Sequence, residues 1–155
     1  MFYKNFTTDI INKSVVFRSN RTLNGIISLL SNQNAGDLSQ DAIKSIWKSI
    51  IFYNYIPCCI QNPGRPSTAQ WRSGLIPFRK ILEQYGPDGV LVCGLQLWGW
   101  LVWDVSGGTA DPRASQVHTV DGVPCAMIRH PSRFAWREWR KSVEVLLAPR
   151  AVASV

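Results

Sequence analysis

The sequence predicts an α/β fold, a sandwich around a short, mostly parallel sheet. Three observations carry this expectation. Segments with apolar residues at helical spacing alternate with short β-branched runs. Val90-Leu-Val-Cys93 runs through Gly94 directly into another apolar helical segment, the strand–glycine–helix form of a βα unit. Two β-branched runs flank Asp121-Gly122, the strongest short hairpin signal. The composition suits a folded chain: 46% of the 155 residues are hydrophobic and 17% charged, which excludes disorder as a description of the whole. A single domain over residues 1–155 is expected, with a helical part at 1–49, an α/β core at 50–147 and a tail at 148–155.

Taken in order, residues 1–49 are polar, with frequent Asn and Ser. Leu23, Ile26, Ile27 and Leu30 form a helical stripe that Thr22 or Ser19 can cap, and Asn34-Ala-Gly-Asp37 breaks it. A second helix starts near Ser39, with Ser39 or Asp41 at its start and Ile43, Ile46 and Trp47 inward. Ile50 to Ile56 reads IIFYNYI, uncharged, β-branched and aromatic, and predicts a strand buried on both faces. Pro57 ends it, and residues 61–66 form a proline- and glycine-rich loop.

Ser67 or Thr68 caps a helix towards Tyr85 that Gly74 and Pro77 can kink or divide in two. Gly86-Pro-Asp-Gly89 connects it to the Val90–Cys93 strand, and a helix follows from Leu95 to about Trp103. A loop at 104–116 precedes the hairpin arms at 117–120 and 123–128. The last helix spans about Phe134 to Leu147, with Trp136, Trp139, Val143 and Leu146 inward.

Charge and cysteine usage narrow the function classes. There are 17 Lys and Arg against 10 Asp and Glu, a net +7, which suits a polyanionic partner. No apolar stretch approaches the ~20 residues of a membrane span, and no charged start leads into an apolar leader segment, so a cytoplasmic protein is expected. Cys58, Cys59, Cys93 and Cys125 are badly spaced for a zinc or iron–sulfur site and read as buried free thiols. The seven tryptophans read as core.

Two positions stand out chemically. Asn54 is an amide in an otherwise apolar run: it either makes paired hydrogen bonds with a nucleobase edge or pins a neighbouring loop. His130 ends a strand, where it can donate a hydrogen bond to charge developing on a leaving group. Pro131 fixes the turn, and Ser132 with the following amides can hold a phosphate. Arg129, Arg133, Arg137, Arg140 and Lys141 make the last helix basic, with Arg65, Arg72 and Arg79 as a second patch. These are either phosphate-tracking surfaces or solvated faces. His118 reads as an exposed hairpin residue. Nucleotide-binding glycine loops, zinc-protease and serine-hydrolase motifs are absent from the sequence.

Phe52-Tyr-Asn54-Tyr, Pro63-Gly-Arg65-Pro66, Trp71 with Phe78, Pro87-Asp-Gly-Val-Leu-Val-Cys-Gly94 and Ile128-Arg-His130-Pro131-Ser132, in this order, resemble the uracil-DNA glycosylase superfamily. The resemblance covers about residues 46–147. It implies a three-layer α/β/α sandwich, an enzyme that flips a nucleotide out of DNA and hydrolyses its N-glycosidic bond, with no metal, no other cofactor and no covalent intermediate. On this match Asn54 and Phe52 bind the flipped base, His130 stabilises the departing base, and Ser132 grips the adjacent phosphate. Arg133 and Phe134 stand where the family places its apolar DNA wedge, and Pro131, Arg65 and Arg137 are the other expected DNA-binding residues. Asn54 and His130 are expected to line one nucleotide-sized cavity. The family's first motif, which supplies a water-positioning carboxylate or amide, has no counterpart. The expectation is therefore a chain lacking that motif and its strand, either truncated or inactive. DNA is the expected partner; binding without catalysis, or an α/β interaction domain, is the alternative.

Overall fold

The structure, a computed structural model, describes residues 20–56, 65–131 and 135–147. The chain falls into two compact units. The first comprises residues up to Asn54 together with Arg129–Arg140, and the second comprises Tyr55–Ile128 and the residues from Lys141 onward.

In the first unit, α1 (Arg21–Ser31) and α2 (Gln40–Lys48) follow the predicted stripes, joined by a 3-10 turn at Ala35–Asp37. The cap of α1 is Asn20, neither Thr22 nor Ser19: its side chain accepts from Leu23 N at 3.1 Å. Asn32 ends the helix in the left-handed region at φ 58°. Ser39 caps α2 as expected. Leu23, Ile26, Ile27, Ala35, Ile43 and Trp47 form the core of this unit, each buried Leu or Ile side chain stabilising it by about 1.5–3 kcal/mol relative to exposure. Ser28 Oγ, itself buried, accepts from Ala35 N at 2.8 Å and ties the turn to the helix. A second 3-10 turn, Trp136–Trp139, packs on α1.

The expected strand at 50–56 is not formed. Residues 50–54 have no regular structure and 55–56 bend. Ile51, Phe52 and Asn54 are exposed, while Tyr55 is buried in the second unit. β-branched and aromatic side chains favour a pleated backbone only where a neighbouring strand supplies the ladder, and none among the described residues pairs with this segment.

The second unit holds α3 (Thr68–Ser73), α4 (Leu75–Tyr85), β1 (Val90–Cys93), α5 (Leu95–Val105), β2 (Val117–Val120) and β3 (Val123–Ile128). Ser67 opens α3 with a reciprocal capping box: its Oγ accepts from Gln70 N, and its own N–H donates to Gln70 Oε1 at 2.8 Å. The helical run to Tyr85 divides at Gly74, whose buried Cα lies against Tyr55. The sheet has the order β1-β3-β2 and is mixed, not mostly parallel: β1 pairs parallel with β3, whereas β2 pairs antiparallel through the hairpin. Asp121 and Gly122 take φ of 48° and 81°, as a two-residue hairpin turn requires. Pro124 precedes the first β1 partner of β3, Cys125, so its missing N–H removes no bond on that side.

Consecutive burial from Cys125 to Ile128 marks β3 as a strand covered on both faces. Helix α5 packs on β1 and β3, and α3 packs on α5. The final helix, α6 (Arg140–Leu147), starts later than expected because residues 136–139 wind as the 3-10 turn. Val143 and Leu146 are buried as predicted, but Trp136 and Trp139 are only half-buried. Of the remaining tryptophans, Trp47, Trp71 and Trp98 are core, while Trp103 is exposed. The expectations for residues 1–19, Pro57, Cys58, Cys59, the loop at 61–64 and the tail fall outside the described residues.

Candidate functional site

β1 and β3 end together. Cys93 is the register partner of Ile128, and Gly94 N donates to Ile128 O at 2.8 Å. Gly94 has φ 130°, a region that side-chain-bearing residues rarely enter, so the chain can turn from β1 straight into α5. Arg129 and His130, both exposed, follow β3 directly, and Pro131 after them is buried. Ser132, Arg133 and Phe134 lie outside the described residues. Asn54 is exposed in the irregular segment before Tyr55, and Phe52 is 45% exposed. Arg65 is exposed ahead of the α3 cap.

The first unit carries an open groove of about 240 Å³. Arg21, Asn24, Gly25 and Ser28 line it from α1, at the i, i+3, i+4, i+7 spacing of one helical face. Asn34, Pro131, Trp136 and Arg137 complete it. The structure thus brings the predicted Pro131 and Arg137 together and leaves Asn54 and His130 off the lining. The four α1 residues escaped the sequence reading. Their signal was a polar stripe, opposite Leu23, Ile26 and Ile27, that offers an amide, a glycine and a hydroxyl in place of a run of charges.

Among the described residues no carboxylate lines the groove. The Arg137 guanidinium lies 4.8 Å from the centre of the Trp136 ring, a cation–π contact that holds it in place without using its N–H donors. Arg21 and Arg137 have no hydrogen-bond acceptor or carboxylate partner among the described residues. Asn34 Oδ1 accepts from Gly36 N at 3.2 Å, and Ser28 Oγ accepts from Ala35 N. Their remaining capacity includes donors, as an anion requires.

The other basic residues divide. Arg140 is structural: its Nη1 donates to Leu29 O at 2.7 Å and Leu30 O at 3.2 Å, satisfying carbonyls at the end of α1. Arg79 pairs with Asp121 at 3.1 Å, which reduces the second patch, whereas Arg72 stays exposed. His118 is half-buried on β2, not exposed as expected. Burial pushes the thiols of Cys93 and Cys125 up to about 11 and about 12, so both are inert. Among the described residues no group of three or more His, Cys, Asp or Glu is placed to hold a metal, and no helix is long and apolar enough to cross a membrane.

No protein-family model, curated protein or solved structure matches the chain.

Proposed function

We propose that this chain is a DNA glycosylase-like protein of the uracil-DNA glycosylase superfamily, built on a three-layer α/β/α sandwich, that acts on a base flipped out of DNA. One observation carries the reading. Two adjacent parallel strands end in register, one in the Gly94 turn and the other in Arg129-His130-Pro131, the motif order that the resemblance requires. Ligands of parallel α/β sheets sit beyond such carboxyl ends. The bond that breaks joins C1′ of the sugar to the base nitrogen. Its electron pair leaves with the base, and water supplies the hydroxyl at C1′ and a proton. His130 donates a hydrogen bond to the charge on the departing base, Asn54 reads its edge, and Ser132 holds the neighbouring phosphate.

The test is abasic-site formation on uracil-containing single- and double-stranded oligonucleotides. The reading expects cleavage after alkali, with His130→Ala and Asn54→Ala each slowing excision by about 10²–10³-fold. Unchanged rates in both variants remove these residues from the mechanism. Absence of product from every modified base tried overturns excision itself.

Binding without excision is the second reading, favoured by the groove arginines, to which the described residues offer no acceptor. It expects association that weakens as salt rises and no abasic product.

A further inference from the structure

We propose that the groove of the first unit is a phosphate-ester site, in which Arg21 and Arg137 clamp one phosphate. The inference shares the nucleic-acid reading only as the source of that phosphate and involves neither Asn54 nor His130, so it stands or falls apart from excision.

The argument begins with charge. Arg21 and Arg137, from segments more than a hundred residues apart, line one groove, and no described carboxylate pairs with either. An anion in the groove is attracted by both cations at once. Arginine is also the side chain whose planar fork matches phosphate oxygens in pairs. Arg137 is pre-positioned by the Trp136 ring, so little of its freedom remains to be lost on binding.

Shape and the neutral donors then narrow the ligand. Gly25 sits in the interior of α1, where a glycine costs roughly 0.5–1 kcal/mol relative to alanine, and it puts no side chain into the hollow. Ser28 is bound through its oxygen to Ala35 N, and Asn34 through its oxygen to Gly36 N, so their donor groups complement the two guanidiniums. At about 240 Å³ the groove is smaller than the ~300–1,000 Å³ of pockets for drug-sized ligands. It suits one phosphate with its sugar, as in a single strand or a free nucleotide.

Calorimetric titration of the full chain with deoxythymidine decamer, thymidine monophosphate and thymidine tests the site. Both phosphate-bearing probes are expected to bind and thymidine is not. A decamer preference assigns the site to a strand backbone, and equal affinities assign it to a free nucleotide. Arg21→Gln and Arg137→Gln each weaken the preferred probe about tenfold or more. For the decamer each also reduces the slope of log affinity against log salt by about 0.7. Gly25→Leu, which adds a side chain at a position lining the groove and leaves the charges in place, weakens binding too. Arg113→Gln, an exposed arginine of the second unit, leaves it unchanged. Circular dichroism melts check that each variant is folded. Thymidine binding as tightly as its monophosphate, or folded Arg21→Gln and Arg137→Gln chains binding like the parent, overturns the proposal.

Discussion

Gly74→Ala sets two opposed effects against each other. Gly74 has φ −76° and ψ −24°, ordinary helical values, so the backbone accepts any side chain there. On propensity alone alanine would stabilise the helical run by up to about 1 kcal/mol. A Cβ at this position, however, would lie 2.5 Å from the carbonyl oxygen of Tyr55 and equally close to its Cδ1, with Cε1 also in the way. The oxygen belongs to the backbone and cannot rotate aside. The ring is held against Phe78 at 5.8 Å and Trp71 at 6.5 Å between centroids. Overpacking of this kind costs about 1–3 kcal/mol, so a net loss of about 1–2 kcal/mol is expected. In a chain of this size that lowers Tm by roughly 2–8 °C. Gly99→Ala is the matched control: the residue lies inside α5 with nothing within 4 Å of its added Cβ. It should gain about 0.5–1 kcal/mol. Urea denaturation followed by circular dichroism reads both midpoints. A Gly74→Ala midpoint at or above that of the parent, or a shift in the same direction as Gly99→Ala, would refute the steric argument.

Arg140→Met keeps the aliphatic stem but strips two hydrogen bonds from the Leu29 and Leu30 carbonyls, and should lose about 1.5–3 kcal/mol by chemical denaturation. A loss under about 0.5 kcal/mol would mean that water replaces the guanidinium. Burial holds the Cys93 and Cys125 thiols protonated to about 11 and about 12, against an ordinary value near 9. The folded chain therefore keeps these protons longer than the unfolded one. Their contribution is fully present below pH 9 and is lost as pH rises through the interval to 11–12. Stability curves of the Cys93→Ala/Cys125→Ala chain should fall less steeply above pH 9 than those of the parent, and equal slopes would contradict the burial argument.

What the sequence disclosed was whatever local chemistry decides. Asp121-Gly122 dictates its own turn, so both hairpin arms appear at the expected residues. Ser39 and Ser67 cap the helices assigned to them, and Gly74 divides the run in which it was suspected. Ile50–Ile56 shows the limit: side-chain preference for pleated backbone says nothing about whether a ladder partner exists. The groove shows another. Arg21, Asn24 and Ser28 drew no reading from the sequence, because Pro131, Trp136 and Arg137 return beside them only in the fold and no short-range pattern announces that return. Arg140 was misread for the same reason, since its acceptors lie 110 and 111 positions away.

The first unit is assembled from two stretches of chain separated by the whole of residues 55–128. At about 5–20 residues per second, a ribosome that has finished Ser31 needs roughly 5–20 s more to reach Arg140. During that interval the carbonyl end of α1 waits for its guanidinium. Native contacts of the second stretch come last in translation, so a nascent chain arrested before residue 140 should be protease-sensitive at α1 even when its hairpin has already formed. No single cut can release the first unit intact.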